Sequence, residues 1–336
     1  MPSSLGRISR NKPHDSGDNY LDTRRTFKGI ADEWMQKNAP KWSGDYLKRI
    51  RTHLDKSILP WIGSIPIDEV RATDVLNVLR KTEARGAIET AHKLRSICGQ
   101  VLRYAVANAL IGSDPSRDLR GALAPVVTKH RATITEPKRV GELLRAIEGF
   151  HGTYVVHAAM KMTPYVFVRP GELRKAEWSE IDLEADEWRI PAEKMKMGVT
   201  HIVPLASQVV EILRDLREFT GSGRYVFPSI RSAHRPMSDG AVNVALRRLG
   251  YEKDEICAHG FRGMASTILH EQGWSTDVIE RQLAHQEGNE VKRSYNHARH
   301  LPERRKMMQD WADYLDALRD GAEVIPLHGK APMHNR

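Results

Sequence analysis

Cysteine is nearly absent: Cys98 and Cys257 are the only two in 336 residues. They stand far apart and without metal-ligand spacing, which argues against a disulfide framework and fits free thiols in a reducing cytoplasm. Long apolar runs are absent as well. No stretch approaches the ~20 residues that span a bilayer, so no membrane association is expected. The opening MPSSLGRISRNKPHDSGDNY is polar and lacks the apolar core of a secretory signal. No segment repeats with a fixed period. Acidic residues are the minority charge: 52 lysines and arginines face 43 aspartates and glutamates, for a net +9. That excess favours a polyanion such as nucleic acid, although a merely basic soluble protein has the same balance. Hydrophobic residues make up 40%, enough for globular cores, and the length suits two domains of ordinary size with tails.

Residues 1–24 are polar and charged and are expected to form a disordered tail. Residues 25–118 predict a domain of short helices. Phe27, Ile30, Ala31 and Trp34 recur at helical spacing, as do Tyr46, Leu47, Ile50 and Leu54. Pro60, Gly63 and Pro66 predict a break, Thr73 a cap for DVLNVLRK, and ETAHKLRSICGQVLRYAVANAL a longer helix. A linker is expected over 119–133, a second domain over 134–320, and a disordered tail over 321–336. In the second domain EWRIPAEKM and THIVPL predict two strands joined by a turn at Lys196-Met197-Gly198-Val199. GRYVFPS predicts a short third strand or a loop. Gly250 and Gly273 predict the stops of two helices, and Ser275 caps TDVIERQLAH. A last helix over 302–319 carries Met307, Met308, Trp311, Tyr314, Leu315 and Leu318 on one stripe.

Several polar residues of the second domain are not explained by local packing. Tyr295 lies in VKRSYNHARH with Lys292, Arg293, His297, Arg299 and His300 around it, and with few apolar neighbours. Arg169 precedes Pro170, which is favoured at the first helical position. It therefore sits at a helix start, where anions are attracted. Glu172, one turn in, can orient a neighbouring basic side chain; a surface arginine with a capping glutamate is the plainer reading of this pair alone. His259 and Arg262, at i and i+3, share a helix face and can clamp two phosphate oxygens. His285 ends an amphipathic helix, and Lys196 in the hairpin turn can reach into a groove. Each signal is weak by itself. Together, two arginines, two imidazoles and a lysine around one phenol suit phosphodiester cleavage. Arginines stabilise the charge that grows on the non-bridging oxygens. The phenol attacks phosphorus to give a covalent intermediate, and with a pKa of ~10 it can leave again. Lysine can serve as general acid to the departing sugar oxygen. The stored bond energy makes ATP, metal and cofactor unnecessary.

The residues TPYVFVRPGELRKAEWSEIDLE, WRIPAEKMKM, HIVPL, RYVFPS, AHGFRGMAST, VIERQLAH, SYNHA and LPERRKMMQDWADYLDAL, in this order, resemble a tyrosine recombinase. The resemblance is to phage and genomic-island integrases of the satellite-prophage type and covers about residues 26–320. It implies a mainly α chain with a small antiparallel sheet (α+β), in which a helical core-binding domain precedes the catalytic domain and closes a C-shaped clamp over DNA. It makes Arg169 and Arg262 the catalytic arginines, Tyr295 the nucleophile and Lys196, rather than Lys194, the general acid. His259 and His285 assist at the phosphate, and Glu172 supports the site. It also implies double-stranded DNA attachment sites as substrate, a 3′-phosphotyrosyl link, a homotetramer on DNA, and a role for an excisionase or a host DNA-bending protein. The enzyme would act in the cytoplasm at the nucleoid, integrating or excising a prophage or genomic island. The last helix resembles a segment that packs onto a neighbouring subunit. In one respect the chain departs from these relatives: only about 24 polar residues precede the core-binding segment, so an arm-site-binding domain is expected to be shortened or lost. Two alternatives stand beside this reading: an inactive or regulatory DNA-binding remnant of an integrase, and a type IB topoisomerase-like relaxing enzyme.

Overall fold

Thr26 opens the first helix by accepting a hydrogen bond from the Gly29 N–H at 3.3 Å, a side-chain cap of the ordinary kind. The computed structural model describes residues 25–126, 132–195, 198–284 and 300–321. The chain divides into two units, Met1–Thr128 and Lys129–Arg336. The tail 1–24, most of the tail 321–336, part of the 119–133 segment, and Lys196, Met197, His285 and Tyr295 lie outside the described residues.

In the first unit, α1 (Phe27–Asn38) buries Phe27, Ile30, Ala31 and Trp34, the face its spacing predicts. Helix α2 (Gly44–His53) begins at Ser43, whose hydroxyl accepts from the Tyr46 N–H. The break expected from Pro60, Gly63 and Pro66 falls at Gly63, not at Pro60. A wide π-helical turn over Leu54–Ile58 carries the backbone into α3 (Leu59–Ile62), and Pro60 falls at the start of that helix, where no N–H is required. Leu54, Ile58 and Ile62 therefore form one buried row. Thr73 is not the cap of the next helix, α4 (Ala72–Glu83). The Asp74 carboxylate takes that role, accepting from the Arg71 N–H at 2.9 Å. Helix α5 (Ile88–Ala107) packs on α1 and α4 through Leu94, Ile97, Val101 and Leu102. Leu119 and Leu123, at the start of the predicted linker, are buried in this same core. Ala124 is held there by its N–H to Glu83 at 2.7 Å and its carbonyl to His92 at 3.0 Å.

The second unit begins with α6 (Pro137–Glu148) and α7 (Tyr154–Val166), followed by the short α8 (Pro170–Arg174). Strands β1 (Ile181–Asp182), β2 (Glu187–Ile190) and β3 (His201–Pro204) make an antiparallel sheet in sequence order, with Ile190 opposite His201. The EWRI and HIVP segments thus pair as predicted. After α9 (Ser207–Thr220), GRYVFPS contributes only β4 (Pro228–Ser229), which pairs with β5 (Ser232–Pro236). That second strand, SAHRP, is polar and contains proline, so alternation could not reveal it. Helices α10 (Ala241–Arg248) and α11 (Gly260–Glu271) are followed by Gly250 and Gly273, both at positive φ. Helix α12 (Thr276–Gln282) precedes the last helix, α13 (Leu301–Asp320).

Helix α13 lies against α6, α7 and β3 of its own unit. Met307, Met308, Trp311, Leu315 and Leu318 are buried, and the Trp311 indole N–H donates to the Pro164 carbonyl at 2.9 Å. Gly141 permits the close approach of α6, because a Cβ there would collide with the Leu318 carbonyl oxygen. The apolar stripe of α13 is thus packed within its own unit. The architecture is mainly α with small antiparallel sheets. No helix among the described residues is long and apolar enough to cross a membrane.

Candidate active site

Pro170 at the first position of α8 leaves Arg169 as its N-cap, with extended backbone. Glu172 closes the cap. Its Oε2 accepts from the Arg169 N–H at 2.8 Å, and its Oε1 accepts from the same residue's Nη1 at 2.7 Å. Glu172 is buried while the Arg169 side chain is 23% exposed. The carboxylate thus aims a guanidinium toward solvent, a charge-assisted geometry stronger than a neutral hydrogen bond.

Arg262 lies on α11, one turn after His259, and is buried. Its Nη1 donates to the Phe167 carbonyl at 2.9 Å and its Nη2 to the Leu283 carbonyl at 2.7 Å. Arg169 Nη2 donates to the next carbonyl, that of Ala284, at 3.0 Å. Two arginines far apart in sequence therefore grip consecutive peptide units just before His285. Phe167 and Ala284 are both in the left-handed region, at φ 34° and 48°, a conformation that ordinary side chains adopt only when their surroundings enforce it. Burial, and then the neighbouring Arg169 charge, lower the Arg262 pKa to about 10. It stays protonated at neutral pH, so two cations lie near one carboxylate, which is bonded to Arg169 and acts on Arg262 through its charge.

His259 caps α11, and its carbonyl accepts from the Arg262 N–H at 3.2 Å. Thr133 anchors the start of this helix by donating to the Gly260 carbonyl at 2.8 Å. Arg169, Glu172 and Arg262 therefore meet where α8, α11 and the end of α12 converge, and His259 lies one turn before Arg262 at the start of α11. Lys196, His285 and Tyr295 lie outside the described residues. The lysine set aside in the sequence, Lys194, is engaged elsewhere: it pairs with Glu177 at 2.6 Å and with Glu180, and donates to the Lys175 carbonyl. Sequence reasoning missed Arg304, which is fully buried on α13. A signal for it existed, since Arg304 falls in register with Met307, Met308 and Trp311 on the apolar stripe.

Residues 27–122 match the phage integrase central domain, and residues 134–301 match the phage integrase family. The chain is 40% identical over 311 residues to the putative protein IntB of Escherichia coli (strain K12), covering 88% of this chain and 78% of that protein. It is also 40% identical over 310 residues to the integrase of Enterobacteria phage P4, covering 88% and 70% respectively. Among solved structures it resembles a lambda integrase tetramer bound to a Holliday junction, with a TM-score of 0.63 at 20% identity, covering 84% of this chain and 83% of that one. The Tn1549 transposon integrase in complex with a circular intermediate DNA gives 0.61 at 14% identity, covering 83% and 99%. The relatives of 40% identity carry the assignment, and the structures share the fold: the chain belongs to the phage integrase family of tyrosine recombinases.

Proposed function

We propose that Tyr295 is the nucleophile with which this integrase cuts and rejoins DNA, and that Arg169 and Arg262 hold the scissile phosphate. The supporting observation is the meeting of the two guanidinium groups at the carbonyls of Leu283 and Ala284, which the chain follows directly with His285. Cations fixed in place before the reaction suit a phosphodiester, whose non-bridging oxygens gain charge in the transition state. His259, one turn before Arg262 at the start of α11, is read as a further phosphate donor.

The Tyr295 oxygen forms a bond to phosphorus as the bond to the 5′ sugar oxygen breaks. Lys196 gives its proton to that departing oxygen, and His285 assists proton movement. The products are a 3′-phosphotyrosyl link and a free 5′-hydroxyl. A 5′-hydroxyl from a second duplex reverses the step, takes the phosphate and frees the phenol. The phosphoester bond is conserved throughout, so the exchange needs no nucleotide. The substrate is a pair of double-stranded attachment sites, engaged by a homotetramer acting at the nucleoid, with an excisionase or DNA-bending protein setting direction. The first unit contributes phosphate contacts that position the duplex.

The test is a nicked duplex bearing the chain's own attachment site, found from direct repeats that border its gene. The wild-type chain traps a covalent adduct and Tyr295→Phe traps none; an adduct that survives the substitution refutes the assignment. Joining of two different duplexes supports recombination, whereas relaxation of one supercoiled circle without joining supports a topoisomerase.

A further inference from the structure

Arg304 is 0% exposed, on the face of α13 that also buries Met307, Met308 and Trp311. A methionine or leucine would complete that stripe. Arg304 instead places a guanidinium in the core with no carboxylate bonded to it among the described residues. Its Nε and Nη2 both donate to the Gln282 Oε1, at 2.9 and 2.6 Å, and Nη2 also donates to the Ile202 carbonyl. Burial, and then the Arg281 charge, lower its pKa to about 9, so it enters the core as a cation. Its neighbour Arg305 takes the direct ion pair with Glu187, at 2.6 Å. The Glu187 carboxylate offsets part of the Arg304 charge at a distance, without a hydrogen bond to it. A buried cation held mainly by neutral acceptors is still a poor way to stabilise a core, since an apolar side chain of similar volume does as well or better. Such a residue is retained for what it holds in place.

What Arg304 holds is informative. Gln282 is the last residue of α12, and the next two carbonyls, of Leu283 and Ala284, are those gripped by Arg262 and Arg169. Ile202 is in β3, a strand that begins five residues after Lys196 in the sequence. Arg304 itself belongs to the first turns of α13, the helix that follows Tyr295. One side chain thus joins the three elements next to which the chain carries Lys196, His285 and Tyr295.

We infer that Arg304 is a positioning residue for strand cleavage: through Gln282 it sets the carbonyl pair against which Arg169 and Arg262 are aligned, and through Ile202 it fixes β3 to the same point. This rests on the reading of Tyr295 and the arginines given above. It differs from a stabilising role in its consequence, because removing Arg304 lowers the rate of chemistry without loosening the fold or the grip on DNA.

The experiment measures single-turnover adduct formation at saturating nicked attachment-site duplex, together with DNA affinity and thermal melting. The variants are Arg304→Met, Arg304→Lys, Gln282→Leu, Arg305→Met and Tyr295→Phe. Arg304→Met is expected to melt at or above the wild-type temperature and to bind DNA within about twofold of wild type, yet to cleave at least tenfold more slowly. Arg304→Lys is expected to recover part of that loss, and Arg305→Met to cleave normally. Wild-type cleavage by Arg304→Met, or a loss no greater than its loss of folded protein, overturns the proposal. If Arg304→Met does not fold, Gln282→Leu decides: a tenfold slowing with intact melting supports the proposal, and an unchanged rate overturns it. An adduct that survives Tyr295→Phe defeats the underlying reading and this inference with it, an outcome distinct from the others.

Discussion

The Arg262 guanidinium donates to the Phe167 carbonyl at 2.9 Å, and Phe167 is the residue where α7 ends in a left-handed conformation. The arginine read as a phosphate ligand is thus also the clasp that stops a core helix. Its removal has two separable effects. Arg262→Ala is expected to slow adduct formation by at least about a hundredfold, as loss of a preorganised donor does. It is also expected to lower stability by about 2–4 kcal/mol, because two buried carbonyls lose their donor. Arg262→Lys keeps the charge but not the two-pronged geometry, so its melting temperature falls less while its cleavage rate remains low. Parallel melting and single-turnover assays separate the two effects.

Lys194 and Lys196 make opposite predictions. Lys194 sits between Glu177 and Glu180, whose side chains are 12% and 7% exposed. Lys194→Ala leaves Glu177 to Arg224 but removes the only ion-pair partner of Glu180 among the described residues, and is expected to destabilise the chain by about 2 kcal/mol, with cleavage kept in the folded fraction. Lys196→Ala is expected to leave melting unchanged and to slow cleavage. A substrate with a 5′-thio leaving group needs no general acid and should restore the Lys196→Ala rate but not the stability of Lys194→Ala.

The same cluster gives the chain an acid-sensitive joint. Hydrogen bonding from Arg224, together with Lys194, holds the Glu177 pKa below its ordinary value. A carboxylate whose pKa is lower folded than unfolded binds protons preferentially when unfolded. Its contribution is complete above the ordinary carboxylate range and is lost as pH falls through the folded-state value. Melting temperature measured from pH 7 to 3 should therefore drop through this window. Glu177→Gln should start lower at pH 7 and fall less.

Gly141 sets the distance between α6 and α13. Gly141→Ala is expected to cost about 2 kcal/mol by forcing the helices apart, seen as a melting temperature lower by roughly 5 °C. Circular dichroism at 222 nm should show unchanged helix content at low temperature.

Much of this fold is written in local pattern. The rows in α1 and α13, the pairing of β2 with β3, and the stops at Gly250 and Gly273 all follow from periodicity or from a residue's own backbone freedom. So does the cap that Glu172 makes for Arg169, since both partners lie within one turn. What pattern misses depends on distant contacts. Of the break read from Pro60, Gly63 and Pro66, only the Gly63 end is kept, because a π-helical turn carries the helix through Pro60 and leaves Leu54, Ile58 and Ile62 on one buried row. The strand at Ser232–Pro236 has no alternation and is created by its partner. The grip of Arg169 and Arg262 on Ala284 and Leu283 joins residues more than a hundred positions apart in one case. Arg304 is concealed by the assumption that an arginine on a helix faces water.

Because α13 shelters its own apolar side against α6, an unassembled protomer has no exposed helix there to trade with a sister copy. Any contact between copies made through this helix would then have to use its charged outer side, so it would weaken with added salt rather than depend on apolar area.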